Sequence, residues 1–101
     1  MKNKPHFEKI HSIMETRKLE RVVKGFANHR RIQILELIER KPELSIFEIA
    51  DLLEVNFKTI SEHTRRLAIA GLVLKRNEGS SVRHALSNRG KLILKFLRTL
   101  E

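Results

Sequence analysis

The apolar residues of the first segment predict one long helix with two different faces. Pro5 stands where a first helical turn tolerates proline, and we expect the helix to run from His6 to Ala27. At about 100° per residue, the apolar residues of its first half lie about half a turn from those of its second half. The two sets are Phe7, Ile10, Ile13 and Met14, and Leu19, Val22, Val23 and Phe26. Either the helix breaks near Thr16, or its first half packs against another chain and provides a dimer surface.

A second helix is bounded by clear start and stop residues. Asn28 can cap a helix over His29–Arg40, which has a broad apolar face. Pro42 cannot donate a backbone hydrogen bond and restricts the residue before it. The segment Lys41–Leu44 is therefore expected to be a loop.

The next two helices are joined by a very short connection. Ser45 and Glu48 have the spacing of a capping box at the start of a helix over Ile46–Leu53. Asn56 can cap a further helix over Phe57–Ala70. Because only three residues separate the two segments, the pattern predicts a helix-turn-helix.

The second helix of this pair has one apolar and one polar face. Three- and four-residue spacing directs Ile60, Thr64 and Leu67 inward. The other face carries side chains that are polar or long enough to reach into a groove of nucleic acid. They are Phe57, Lys58, Ser61, Glu62 and Arg65.

After Gly71, which is suited to a left-handed helix cap, the period becomes that of strands. Two short strands, Leu72–Arg76 and Ser81–Leu86, flank a glycine-containing turn and predict a hairpin. Ser87 can then cap a last helix over Asn88–Leu100. Its apolar seam suits a partner helix and comprises Leu92, Ile93, Phe96, Leu97 and Leu100. The expected fold is thus mostly α with a small β-hairpin.

The charge composition of the chain indicates that its binding partner is a polyanion. The 101 residues carry a formal net charge of +9, and the stretch Val55–Arg98 contributes +8 of it, with ten basic residues against Glu62 and Glu78. Such a domain releases counterions when it meets nucleic acid, although a solvated basic surface or an anionic membrane would fit the charge alone. The chain has no cysteine, which excludes disulfides and thiolate metal sites. Neither a membrane-spanning run nor a signal peptide is evident, and we expect a cytoplasmic protein.

Three stretches of the chain carry short motifs: Arg31–Leu35, Ile49–Leu53 and Ser61–Val73. These motifs resemble those of the ArsR/SmtB-type winged helix-turn-helix repressors. Arg31–Leu35 resembles the R-x-x-I-L helix of that family, and Ile49–Leu53 resembles its I-A-x-x-L segment. Ser61–His63, Leu67 and Ala70–Val73 resemble its S-x-H-L-x-x-L-x-x-A-G-L-V run. The resemblance covers residues 19 to 90 and implies one winged helix-turn-helix domain over residues 1–101. It also implies a homodimer that binds a pseudo-palindromic operator and regulates transcription.

The chain departs from that family at its usual metal-sensor sites. Phe47-Glu48-Ile49 stands where a Cys-x-Cys is common, and the terminal helix has Lys91, Lys95 and Arg98 in place of histidine and carboxylate ligands. His6 and His11 lie five residues apart, off the spacing that puts two ligands on one helical face. We therefore expect no metal and no cofactor. His84 is expected to contact DNA from the hairpin or to lie on the surface.

These observations lead to one functional expectation and one alternative. We expect a sequence-specific DNA-binding repressor that is not an enzyme, because no catalytic constellation or phosphate loop occurs. The alternative is a winged-helix module for protein assembly or RNA binding. The expected DNA contacts are Phe57, Lys58, Ser61, Glu62, Arg65, Lys75, Arg76 and Arg83. The expected dimer contacts are Phe7, Ile10, Met14, Ile93, Phe96, Leu97 and Leu100.

Overall fold

A computed structural model describes residues 12–101, which form five helices and one antiparallel hairpin. The order confirms the expected architecture of two helices, a helix-turn-helix, a two-stranded wing and a last helix. The elements are α1 (Ile13–Phe26), α2 (His29–Arg40), α3 (Ile46–Leu53), α4 (Phe57–Ile69), β1 (Val73–Glu78), β2 (Ser81–Leu86) and α5 (Asn88–Arg98). No helix among these residues is both long and apolar enough to cross a lipid bilayer.

The last four helices begin where the sequence predicted, because each cap residue satisfies free backbone N–H groups. The side chain of Asn28 accepts from two N–H groups of α2, and that of Asn56 accepts from two of α4. Ser45 and Glu48 form the complete capping box of α3. Ser87 accepts from the N–H of Gly90 at the start of α5. Asn56 thereby fixes the start of α4 directly after the short turn that follows α3.

Helix α1 does not break at Thr16, so that alternative was wrong. The helix is continuous from its cap at Ser12, and the Thr16 N–H donates to the Ser12 carbonyl at 2.9 Å. The predicted start at His6 was wrong, because Ser12 has an extended backbone and caps a helix that begins at Ile13. No proline or glycine interrupts the helix between Ile13 and Gly25. Gly25 is buried at the crossing with α4, where a Cβ would clash with the side chain of Ala70.

The hairpin is longer and tighter than predicted. Strand β1 extends to Glu78, which pairs with Ser81, so the turn contains only Gly79 and Ser80. Gly79 has φ +61°, and a glycine at the first position is what a two-residue turn of this kind favours. The predicted turn was two residues too long. It included Asn77 and Glu78 because these residues have low strand propensity, but in the structure they pair with residues of β2. Helices α4 and α5 end one and two residues earlier than predicted.

The core is built from all the helices and the base of the hairpin. Ile34, Leu35 and Ile38 of α2 are buried against Ile49 of α3 and the predicted inner face of α4. Ile60, Thr64 and Leu67 are fully buried, which confirms the inner face. Val73 of β1 and Leu86 of β2 are buried and complete the core on the side of the hairpin.

Helix α5 contributes Leu94 to the core, a residue outside the predicted seam. Leu94 is 2% exposed, whereas Ile93 and Leu97 are half-buried and pack on the edge of the same core. Phe96 and Leu100 remain exposed. The apolar seam is therefore shared between the chain's own core and the outer surface.

His84 is buried, so its predicted place at the surface or at a wing contact was wrong. Its Nδ1 donates to the Leu44 carbonyl at 2.7 Å, and its backbone N–H donates to the same oxygen at 3.1 Å. The backbone N–H of Glu43 in turn donates to the His84 carbonyl. His84 thus attaches the hairpin to the loop between α2 and α3. Burial lowers the pKa of His84, because the charged ring is disfavoured away from water.

Candidate nucleic-acid interface

The outer face of α4 carries the predicted reading side chains. Lys58, Glu62 and Arg65 are exposed and Ser61 is half-buried, on the side away from the buried Ile60. The spacing of one turn aligns them along the helix. This arrangement gives α4 an anchored side and a polar side.

Glu62 is not an isolated acid on that face, because it binds two arginines. Its carboxylate accepts from Arg65 Nε and Nη2, both at 3.0 Å, and from Arg66 Nε at 2.8 Å. These two guanidinium groups lower the pKa of Glu62 to about 2. Arg66 lies four residues after Glu62 and therefore next to it on the helix. Sequence reasoning had left Arg66 out of the site.

The hairpin places Arg76 and Arg83 side by side. They are directly opposite one another in the strand ladder, where two like charges repel. Carboxylates compensate for this repulsion. Arg76 pairs with Glu43 and lies 3.7 Å from Glu78, whereas Arg83 bonds Glu48 at 3.1 Å and Glu78 at 3.2 Å. Two of these acids come from outside the basic stretch identified in the sequence.

The two lysines of the predicted site differ from the arginines. Within residues 12–101, neither Lys58 nor Lys75 forms an ion pair. Lys58 lies in the first turn of α4, and Lys75 lies on the exposed part of β1. The surface therefore offers two unpaired ammonium groups beside guanidinium groups that already have carboxylate partners.

Phe57, the first residue of α4, stacks on Phe47 of α3. The ring centroids are 4.3 Å apart and the planes differ by 21°. Sequence analysis placed Phe57 on the groove face but treated Phe47 only as the replacement of a metal ligand. A large apolar residue at the second position of α3, on the side away from Ile49, is the signal that could have drawn attention to it.

His63 lies behind the outer face and connects α4 to α2. Arg31 Nε donates to its Nδ1 at 3.1 Å, so the ring accepts at that nitrogen. Arg31 also donates to the Lys24 and Gly25 carbonyls at the end of α1. Partial burial and the nearby arginines lower the pKa of His63. His63 is half-buried, and its hydrogen-bond partner Arg31 lies 32 residues away in the sequence.

No group of three or more metal-ligating side chains gathers anywhere in residues 12–101. His6 and His11 lie outside the described residues.

The predicted dimer residues within the described part of the chain include three exposed apolar side chains. Met14 of α1 and Phe96 and Leu100 of α5 are between 53% and 67% exposed. Ile13, Leu19 and Leu92 add to these exposed apolar stripes. Phe7 and Ile10 lie outside the described residues.

Comparison with known proteins places this architecture in a family. The family model named HVO_A0114 matches residues 27–87, which include α2, the helix-turn-helix and the hairpin. The chain belongs to the HVO_A0114 family. No curated protein sequence is significantly similar to this HVO_A0114-family chain.

Solved structures resemble the HVO_A0114-family chain over most of its length. The winged helix-turn-helix domain of Mb0332 from Mycobacterium bovis is 26% identical, with a TM-score of 0.79 over 90% of this chain and 87% of that one. HlyU from Vibrio cholerae is 32% identical, with a TM-score of 0.74 over 88% and 97%. HlyU from Vibrio vulnificus is 33% identical, with a TM-score of 0.69 over 86% and 91%.

These neighbours confirm the resemblance drawn from the sequence motifs. Mb0332 is described as a homodimeric DNA-binding domain and a possible ArsR-family transcriptional regulator. The Vibrio vulnificus protein is described as a transcriptional regulator. The HVO_A0114-family chain has the fold of ArsR-like winged helix-turn-helix regulators, a class of DNA-binding proteins rather than enzymes.

Proposed function

We propose that the protein is a sequence-specific transcriptional repressor that binds a pseudo-palindromic operator as a homodimer. Residues 1–101 would act as one winged helix-turn-helix domain in the cytoplasm. The observation that carries the proposal is the division of α4 into a fully buried side and a polar, exposed side. A helix anchored in this way can enter a major groove about 12 Å wide without losing its packing.

The side chains of this surface divide into base contacts and backbone contacts. Ser61, Glu62 and Arg65 of α4 are proposed to contact base edges, because recognition helices read bases through one face. Lys58 contacts a base or a phosphate. Phe57 adds an apolar contact at the start of the helix. On the hairpin, the proposed contacts with phosphates or the adjacent minor groove come from Lys75, Arg76 and Arg83.

The arginine pairs suggest how binding depends on salt. A phosphate that binds Arg76 or Arg83 must compete with a glutamate that already neutralises the guanidinium group. Among residues 12–101, Lys58 and Lys75 have no such competitor. Affinity should therefore fall with salt concentration, as for any protein that releases counterions from DNA, but less steeply than the number of basic residues implies.

A homodimer would cover the apolar stripes of α1 and α5. Mb0332 is described as homodimeric, and the exposed Met14, Phe96 and Leu100 of this chain need a partner to leave water. Ile93 and Leu97 would continue the interface at its inner edge, and Phe7 and Ile10 are proposed to extend it. Two-fold symmetry would then set two recognition helices about 34 Å apart, in successive major grooves.

Selection from random duplexes, followed by gel retardation, tests this function. The expected result is an enriched inverted repeat that the protein retards at least about 1000-fold more tightly than a scrambled duplex of equal length and composition. Equal affinity for both duplexes would contradict sequence-specific regulation. Preference for RNA over either duplex would favour the alternative of an RNA-binding module.

A further inference from the structure

The stacked pair Phe47–Phe57 is exposed although apolar rings of this size normally lie inside a protein. Phe47 is 70% exposed and Phe57 is 40% exposed. Neither ring belongs to the buried core or to the partly buried residues packed against it. The rings instead contact each other across the first turns of α3 and α4. Packing of the core that residues 12–101 form therefore does not account for them.

The pair borders a concave surface between the helix-turn-helix and the hairpin. The concavity has a volume of about 400 Å³. Its apolar wall is formed by the two phenylalanines with Ile46 and Val82, and its polar edge by serines of the α3 cap and the hairpin turn. Phe57, which lines it, is the first residue of α4. An apolar patch with serine hydroxyls at its edge has the chemistry needed to face a nucleotide.

The geometry points to Phe47 and Phe57 as a reader of thymine, through apolar contact with the 5-methyl group in the major groove. This inference rests on the proposed function. The first residues of a recognition helix lie nearest the base edges, and Phe57 is the first residue of α4. Of the four bases, only thymine carries a methyl group in the major groove, and apolar side chains, phenylalanine included, contact it.

The position of Phe47 explains why two rings are used. The first helix of a helix-turn-helix crosses the DNA backbone, so a residue at its start lies near the sugars. Phe47 supports the Phe57 ring from that side at a centroid distance of 4.3 Å. The pair thus presents a wider apolar surface than either ring alone.

Replacement of thymine by deoxyuridine in the selected operator tests the inference, because it removes the methyl group and nothing else. The wild-type protein should bind the deoxyuridine duplex about fourfold more weakly per contacted thymine, which corresponds to about 0.8 kcal/mol. In Phe47→Ala, and more so in Phe57→Ala, this preference for thymine should fall towards onefold. Ile69→Ala is the matched control, since Ile69 is an exposed apolar residue of α4 outside the concavity.

The possible outcomes distinguish failure of this inference from failure of the proposed function. Equal binding of both duplexes by the wild type, or a thymine preference that survives Phe47→Ala and Phe57→Ala, would overturn the inference while the proposed function stands. Loss of the preference in Ile69→Ala would also overturn it. A drop in single-stranded DNA binding on Phe47→Ala, with no thymine preference in duplex, would assign the rings to base stacking instead. Absence of any operator preference would refute the proposed function itself.

Discussion

The surface formed by α4 and the hairpin differs in kind from the exposed stripes of α1 and α5. On the first surface, all four arginines of α4 and the hairpin are paired with glutamates. On the second, apolar side chains such as Met14 and Phe96 are exposed. A paired guanidinium group remains hydrated and can exchange one anion for another, whereas an apolar stripe is stabilised only by leaving water. The contrast explains why one small chain is suited to two partners, a polyanion and a second copy of itself.

The largest expected effect comes from a charge placed on the apolar stripe of α5. Phe96→Glu should weaken dimerisation on the order of 100-fold or more, because a carboxylate would be buried at an interface without a partner. Analytical ultracentrifugation should show a monomer at concentrations where the wild type is a dimer. Lys95→Glu, on an exposed position outside the stripe, is the control and should remain dimeric. A dimer that persists in Phe96→Glu would remove α5 from the interface.

The next effect separates base reading from phosphate binding on the charged surface. Arg65→Ala should weaken operator binding by about 1–3 kcal/mol and leave binding to scrambled duplex nearly unchanged. Arg76→Ala should weaken both duplexes by the same factor, since a phosphate contact carries no sequence information. Gel-shift titrations with both duplexes measure the two effects. Unchanged titrations for both variants would show that the site has been assigned wrongly.

A smaller effect concerns the anchored side of α4. Thr64 is fully buried and its hydroxyl has no hydrogen-bond partner in the described part of the chain. Thr64→Val keeps the branched shape and removes this unsatisfied group, so the free energy of unfolding should rise by about 1 kcal/mol. Urea denaturation followed by circular dichroism measures the change. Thr59→Val, at an exposed position of the same helix, should stay within about 0.5 kcal/mol of the wild type. A less stable Thr64→Val would show that the hydroxyl has a partner.

The smallest effect is a titration of Glu62. Its pKa in the folded protein is about 2, below the ordinary value of 4.5. The stabilisation that its arginine pairs provide should therefore be present above pH 4.5 and disappear as the pH falls towards 2. In Arg65→Gln, the pKa of Glu62 should rise towards its ordinary value. Carboxyl-detected NMR measures it, and an unchanged pKa in the variant would contradict the pairing.

Sequence predicted the elements whose causes are local. The caps at Asn28, Ser45, Asn56 and Ser87 act within three residues, and the helices begin where those residues predicted. The inward side of α4 followed from helical periodicity alone. Asn77 and Glu78 have low strand propensity, but they extend β1 because they pair with residues of β2.

The features that sequence did not predict depend on residues far apart in the chain. His84 is fixed by Leu44, and Arg83 by Glu48, across 40 and 35 residues. The periodicity of apolar residues cannot predict such a pair, because the hairpin comes beside the loop between α2 and α3 only in the folded protein. The net charge of the basic stretch therefore overstated the free positive charge of the surface.

Titration of the ¹⁵N-labelled protein with the selected operator tests most directly whether the outer face of α4 enters the major groove. The account predicts that the largest NMR shifts occur at Lys58, Ser61 and Arg65, with smaller shifts at the hairpin and none at Phe96. Shifts confined to α1 and α5, with the signals of α4 unmoved, would contradict it.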